Sequence, residues 1–124
     1  MASTVTAQLT MNSNTATSDS LNLLVNDVLN VTEPTVGIAR VKTTTSANTD
    51  IVLKTVSAIT YVYIKNTDSA NIIVISDNTS ATPNAFMDLG PGEFAFVPVK
   101  GTKGLSAKAT VADCILEYAV FTKA

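Results

Sequence analysis

An all-β fold, organised as a single domain, is what this sequence predicts, and three observations predict it. Apolar residues come in short runs separated by Gly, Pro, Asn, Asp and Ser clusters, the pattern of strands joined by turns. Within the runs Val, Ile, Thr and the aromatics dominate, which suits a pleated, half-buried surface. Windows rich in the long helix formers are missing. The chain has 124 residues, one domain's worth, and only 15% of them are charged against about 25% in an average globular protein. Its polar surface is therefore supplied mostly by Thr, Ser and Asn. The short, evenly spaced strands point to a sandwich or barrel. Strand content above about 35% and helix below about 10% are expected.

In chain order, Val5, Ala7, Leu9 and Met11 alternate with Thr4, Thr6, Gln8 and Thr10, the period-two pattern of a strand with one apolar face. Asn12 to Ser20 follows with no apolar residue but Ala16, as a polar tether. Residues 1–20 thus read as a strand and arm, and residues 21–124 as the sandwich proper. The strand either belongs to the chain's own sheet or adds to the edge of a neighbour's, where main-chain hydrogen bonds and alternate side chains would hold it. Val5, Ala7, Leu9 and Met11 are the candidate contact residues of that second arrangement.

Leu21–Val31 reads as a strand, broken by Glu33-Pro34. Thr35–Thr43 reads as another, with Gly37 as a bulge signal. After the turn Thr44–Asp50, Ile51–Leu53 is a short strand. Ile59–Asn66 is apolar on both parities, which places it centrally in a sheet, and Asn71–Ser76 is its expected hairpin partner. Gly90-Pro91-Gly92 is a strong turn signal. In Phe94–Val99, Pro98 donates no ladder hydrogen bond, so that strand lies at an edge or bends. A turn and short strand at Gly101–Lys108 and a last strand at Cys114–Phe121 complete the chain. Tyr63, Ile64, Ile73, Val74, Phe96 and Leu116 are the expected core anchors.

Chemistry is hard to find. The absence of histidine removes imidazole bases, His metal ligands and Ser-His or Cys-His pairs. A single cysteine, Cys114, excludes an internal disulfide and structural zinc; it sits in an apolar run and reads as a small buried hydrophobe. Asp88 and Glu93 flank the glycine turn as solvated acids. Asp77 and Asp88 lack the close spacing of a calcium loop. No cofactor is expected, and no enzyme. Net charge is −2 and the basic residues are scattered, so no nucleic-acid stripe exists. The first residues have no basic segment and no apolar core, so no signal peptide is expected, and no run is long enough for a membrane helix. Tyr61 and Tyr63 share a parity; they read as core residues with rim hydroxyls in preference to a carbohydrate-binding face.

The segments Tyr61–Asn66, Asn71–Ser76, Phe86–Val99, Leu105–Ala107 and Leu116–Ala119, with Leu89-Gly90-Pro91-Gly92-Glu93 the most specific, carry a resemblance over residues 59–121. Together they resemble small virion structural proteins of tailed bacteriophages, cyanophages included, and are most similar to capsid decoration (cement) proteins of the jelly-roll kind. That resemblance implies a jelly-roll-like β-sandwich of about eight strands. It implies a homotrimer on the capsid exterior, made in the bacterial cytoplasm and clamping the major capsid protein. It offers no catalytic residues. Tail or baseplate proteins carry similar strings, and a carbohydrate-binding sandwich module is the alternative of another class.

Overall fold

The computed structural model describes residues 3–32, 37–54, 58–80 and 82–124. Strand accounts for 60% of them, with no helix. There are ten strands: β1 (Ser3–Ser13), β2 (Leu21–Val31), β3 (Ala39–Thr43), β4 (Thr49–Val52), β5 (Thr60–Asn66), β6 (Ile73–Ser76), β7 (Ala85–Leu89), β8 (Phe94–Val99), β9 (Leu105–Ala109) and β10 (Cys114–Thr122). Eight of these form two four-stranded antiparallel sheets, ordered β3-β10-β5-β8 and β4-β9-β6-β7. The pairs β6–β7, β5–β8, β4–β9 and β3–β10 are nested around the β6–β7 connection. These eight strands therefore form a long two-stranded ribbon whose successive segments alternate between sheets, with β10–β5 joining its segments within the first sheet and β9–β6 within the second.

Two compact units result, Met1–Glu33 with Ala124, and Pro34–Lys123. The expected boundary at residue 20 is thus displaced. Leu21–Val31 is not a sandwich strand; it pairs with β1 along its full length, Ser3 opposite Val31 through Ser13 opposite Leu21. The polar stretch beginning at Asn12 is not a free tether either. Asn12 and Ser13 complete β1, and Ser13 Oγ accepts hydrogen bonds from the amides of Thr15 and Ala16 to start the hairpin loop. Residues 21–31 supply the edge partner that a lone apolar-faced strand lacks, and that local pairing closes over a short loop.

The core of the second unit lies between its two sheets. Val62 and Ile64 of β5 and Cys114 and Leu116 of β10 meet Ile73 and Ile75 of β6 and Leu105 and Ala107 of β9, all buried. Cys114 is a buried hydrophobe, as its sequence context suggests, and burial pushes its thiol pKa up. Ile64, Ile73 and Leu116 are core residues as expected; Tyr63 and Val74 are only half-buried, and Phe96 is 39% exposed. On β5 the inward register is Val62, Ile64 and Asn66, while Tyr61, Tyr63 and Lys65 face outward. Long amphipathic side chains keep their tips in water and cover the sheet with their stems, whereas compact β-branched ones fill the interior.

Other expectations meet the structure unevenly. β5 is central and β8, with Pro98, is an edge strand. β6, however, is not the hairpin partner of β5; it lies in the opposite sheet. Asn66 makes that crossing. Fully buried, its Nδ2 donates to the carbonyls of Asn71 (2.8 Å) and Leu89 (2.9 Å), and its Oδ1 accepts the Asp68 amide (2.9 Å). Gly90-Pro91-Gly92-Glu93 is a type II turn, with the Glu93 amide donating to Gly90 O and Gly92 at φ 75°. Gly37 precedes β3 and forms no bulge in it. The Glu33-Pro34 break and the Thr35-Val36 start of that expected strand lie outside the described residues.

Candidate interaction surfaces

The first surface is the hairpin. Residues opposite one another in an antiparallel pair point to the same face. The β1–β2 register therefore gathers Val5, Ala7, Leu9 and Met11 with Leu29, Asp27, Val25 and Leu23. The four sequence-nominated residues share this face. Leu9 and Met11 are 46% and 44% exposed, and Val5 and Ala7 are half-buried. The β2 half of the face was missed from sequence because Leu21–Val31 was assigned to the sandwich; its Leu21-Leu23-Val25 alternation, matching that of Val5–Met11, was the available signal. A two-stranded hairpin is marginal by itself in water, and this one leaves Leu9, Met11, Leu23 and Val25 largely uncovered. Among these apolar residues Asp27 carries the one charge on the face, its Oδ1 accepting the Val28 amide at 2.8 Å.

The second surface is the outer face of the β3-β10-β5-β8 sheet. Tyr61 stacks with Phe96 at 6.2 Å between ring centroids and 11° between planes. Beside them Glu117 on β10 accepts from both of its neighbours. Arg40 on β3 donates to its Oε2 from Nε (3.2 Å) and Nη2 (3.1 Å), and the Tyr63 hydroxyl on β5 donates to its Oε1 (2.8 Å). Tyr61 and Tyr63 are thus displayed on the sheet surface, contrary to the core reading. The network is a cross-strand tie with both carboxylate oxygens occupied, and it leaves no free base.

The third is a groove of about 540 Å³ within the second unit. Its walls include Phe86, Val97, Val99 and Leu105, and Lys100 and Lys103 also line it. Phe86 is the unpaired residue of a bulge between Ile75/Ser76 and β7, which turns its ring outward to 59% exposure. Asp77 lies there too, but its carboxylate is already engaged by the amide and Nδ2 of Asn84 and by Thr79 Oγ1. Neither lysine makes a salt bridge among the described residues. No group of three or more His, Cys, Asp and Glu side chains placed to hold a metal occurs among the described residues.

Charge sets the acid stability of the second unit. Hydrogen bonds from Tyr63 and Arg40 hold the Glu117 carboxyl below its ordinary pKa, the amides of Ala70 and Asn71 do the same for Asp68, and Asn84 for Asp77. Burial and the Glu117 carboxylate raise the Tyr63 phenol. Carboxyls lowered in the folded state contribute stability that is complete above their unfolded pKa of about 4 and is lost as pH falls through the folded values. A phenol raised in the folded state contributes below about pH 10 and loses its contribution as pH rises through the folded value. The buried Cys114 thiol, also raised, starts the same alkaline loss above about pH 8.5, so urea midpoints should be level between about pH 4 and pH 8.5 and fall outside those limits. Glu117→Gln should flatten the acid limb; an unchanged limb in that variant would remove Glu117 from the account.

No protein-family model, curated protein or solved structure matches this chain.

Proposed function

We propose that this chain is a virion structural protein of a tailed bacteriophage, a capsid decoration protein that binds the capsid exterior as a trimer and stabilises it. The β1–β2 hairpin carries this reading: a long two-stranded arm with one apolar face left largely uncovered. Contiguous exposed apolar surface of this kind marks association sites. The jelly-roll assignment is supported by the nested order of the eight sandwich strands, a ribbon folded between two four-stranded sheets. The phage assignment rests on the resemblance carried by residues 59–121.

The test is co-sedimentation with undecorated capsids of the phage that encodes the chain. Leu9→Asp with Val25→Asp places two charges on facing positions of the hairpin. Capsid binding should weaken by at least about tenfold, whether the face meets the capsid itself or holds together the trimer that clamps it, since an unpaired charge at an interface centre is strongly disfavoured. The melting of the sandwich should not change. Wild-type protein that ignores capsids and pellets with purified tails instead would transfer the role to the tail. A second reading, glycan binding, is favoured by the outward-facing Tyr61, Tyr63 and Phe96. Binding to polysaccharide that disappears in Phe96→Ala, with capsids ignored, would establish it in place of the first.

A further inference from the structure

The two units of this chain differ in charge as well as in fold. Met1–Glu33 contains three acids, Asp19, Asp27 and Glu33, and no lysine or arginine. All eight basic residues lie in Pro34–Lys123. Each unit also presents an unfilled apolar surface. On the hairpin it is the face of Leu9, Met11, Leu23 and Val25 with Asp27 as its lone charge. On the sandwich it is the groove walled by Phe86, Val97, Val99 and Leu105 and lined by two lysines without ion-pair partners among the described residues.

The strand edges beside the groove argue for a face-on occupant over an added strand. β8 and β7 each have a partner on one side only. Pro98 interrupts the donors of β8, and the bulge at Phe86 distorts β7; both devices discourage strand addition. What the groove offers is apolar wall and positive charge. A surface that supplies apolar side chains around a single carboxylate is complementary to it.

We infer that the apolar face of one copy's hairpin seats in the groove of a second copy, with Asp27 paired to Lys100 and Lys103. The contact is heterologous, since the two surfaces differ, so it propagates from copy to copy and ends when a ring closes. It deepens the self-association half of the proposed function and rests on that half alone. Burying Asp27 requires a basic partner, and the lysines provide one. The pairing sets the register of the hairpin in the groove, while the apolar residues around it supply the main driving force.

The experiment is a charge reversal, read by light scattering at micromolar concentration with no capsid present. The parental protein should form a discrete closed oligomer, a trimer if the resemblance holds. Asp27→Lys alone, and Lys100→Glu with Lys103→Glu, should each weaken association by at least about tenfold, as loss of one partner of a buried charge pair does. All three changes together should restore the oligomer, because the charges are then exchanged. The altered side chains are exposed, and a far-ultraviolet spectrum checks that each variant is folded. A monomeric parent overturns the inference. So does an oligomer indifferent to both reversals, or a triple variant that stays dissociated. Because no capsid is present, failure here leaves the capsid reading standing. Conversely, a rescued oligomer that ignores capsids would sink that reading and keep this one.

Discussion

Leu116→Ala is expected to remove most of the stability of the sandwich, while Phe96→Ala is expected to be mild. Leu116 is fully buried on the inner face of β10, between Val41 of β3 and Asn66 of β5, and belongs to the core shared by both sheets. Truncating such a leucine loses its transfer free energy and leaves a cavity that a close-packed interior fills only in part, together about 2–5 kcal/mol. Native domains hold only about 5–15 kcal/mol in all. In a unit of this size each kcal/mol moves the melting midpoint by roughly 4–8 °C, so a fall of roughly 10–30 °C is expected by calorimetry. Phe96 is 39% exposed and loses a stacked contact with Tyr61 and some covered area, about 1 kcal/mol. Equal melting of the two variants would mean that β8 and β5 are turned the other way.

Asn66→Ala should be comparably severe for a different reason. Among the described residues, the Asn66 side chain is the one side-chain partner of three backbone groups: the carbonyls of Asn71 and Leu89 and the amide of Asp68. Its own backbone adds two further ties, donating to Glu93 O and accepting from the Gly92 amide. Removing the amide side chain leaves polar groups at a buried crossing without partners, at about 1–3 kcal/mol for each group that water cannot reach. A loss of roughly 3–5 kcal/mol in denaturant unfolding is expected, with the β5–β6 crossing and the Gly90–Glu93 turn losing hydrogen-exchange protection first. Asn66→Asp keeps an acceptor for the Asp68 amide but offers the two carbonyls no donor, so it should not rescue. A variant as stable as the parent would mean that water replaces the amide at this corner.

Much of the strand inventory was legible because it depends on local chemistry. The alternation of Val5–Met11, the β-branched run at Ile59–Asn66 and the Gly90-Pro91-Gly92 turn are each specified within a few residues. The Pro98 edge followed from a missing donor. That Cys114 is buried followed from its apolar neighbours. Partnership was not local, and there the reading failed. Asn71–Ser76 follows Ile59–Asn66 across a short polar link and looks like its hairpin return. Long-range pairing shows that the link carries the chain to the other sheet, and the buried Asn66 amide holds that corner through Asn71 and Leu89.

Facing was undecidable for a related reason. β5 carries apolar residues on both parities, with Lys65 on one and Asn66 on the other, so periodicity gave no preference. The choice fell to packing. Compact Val62 and Ile64 fill the space opposite Ile73 and Ile75, while outward-facing Tyr63 reaches Glu117 with its hydroxyl and Tyr61 stacks on Phe96. The contact residues Val5, Ala7, Leu9 and Met11 were visible as a stripe, but the second half of their face was not. Leu23, Val25 and Leu29 join them only because β2 pairs with β1 in register. Sequence by itself determined most of the strand segments, though not β7, whose stretch before the glycine turn reads as a polar loop, and that they carry no histidine-based chemistry. Which strand lies beside which, and which side of each meets water, was decided by long-range pairing and by the volume available between the sheets.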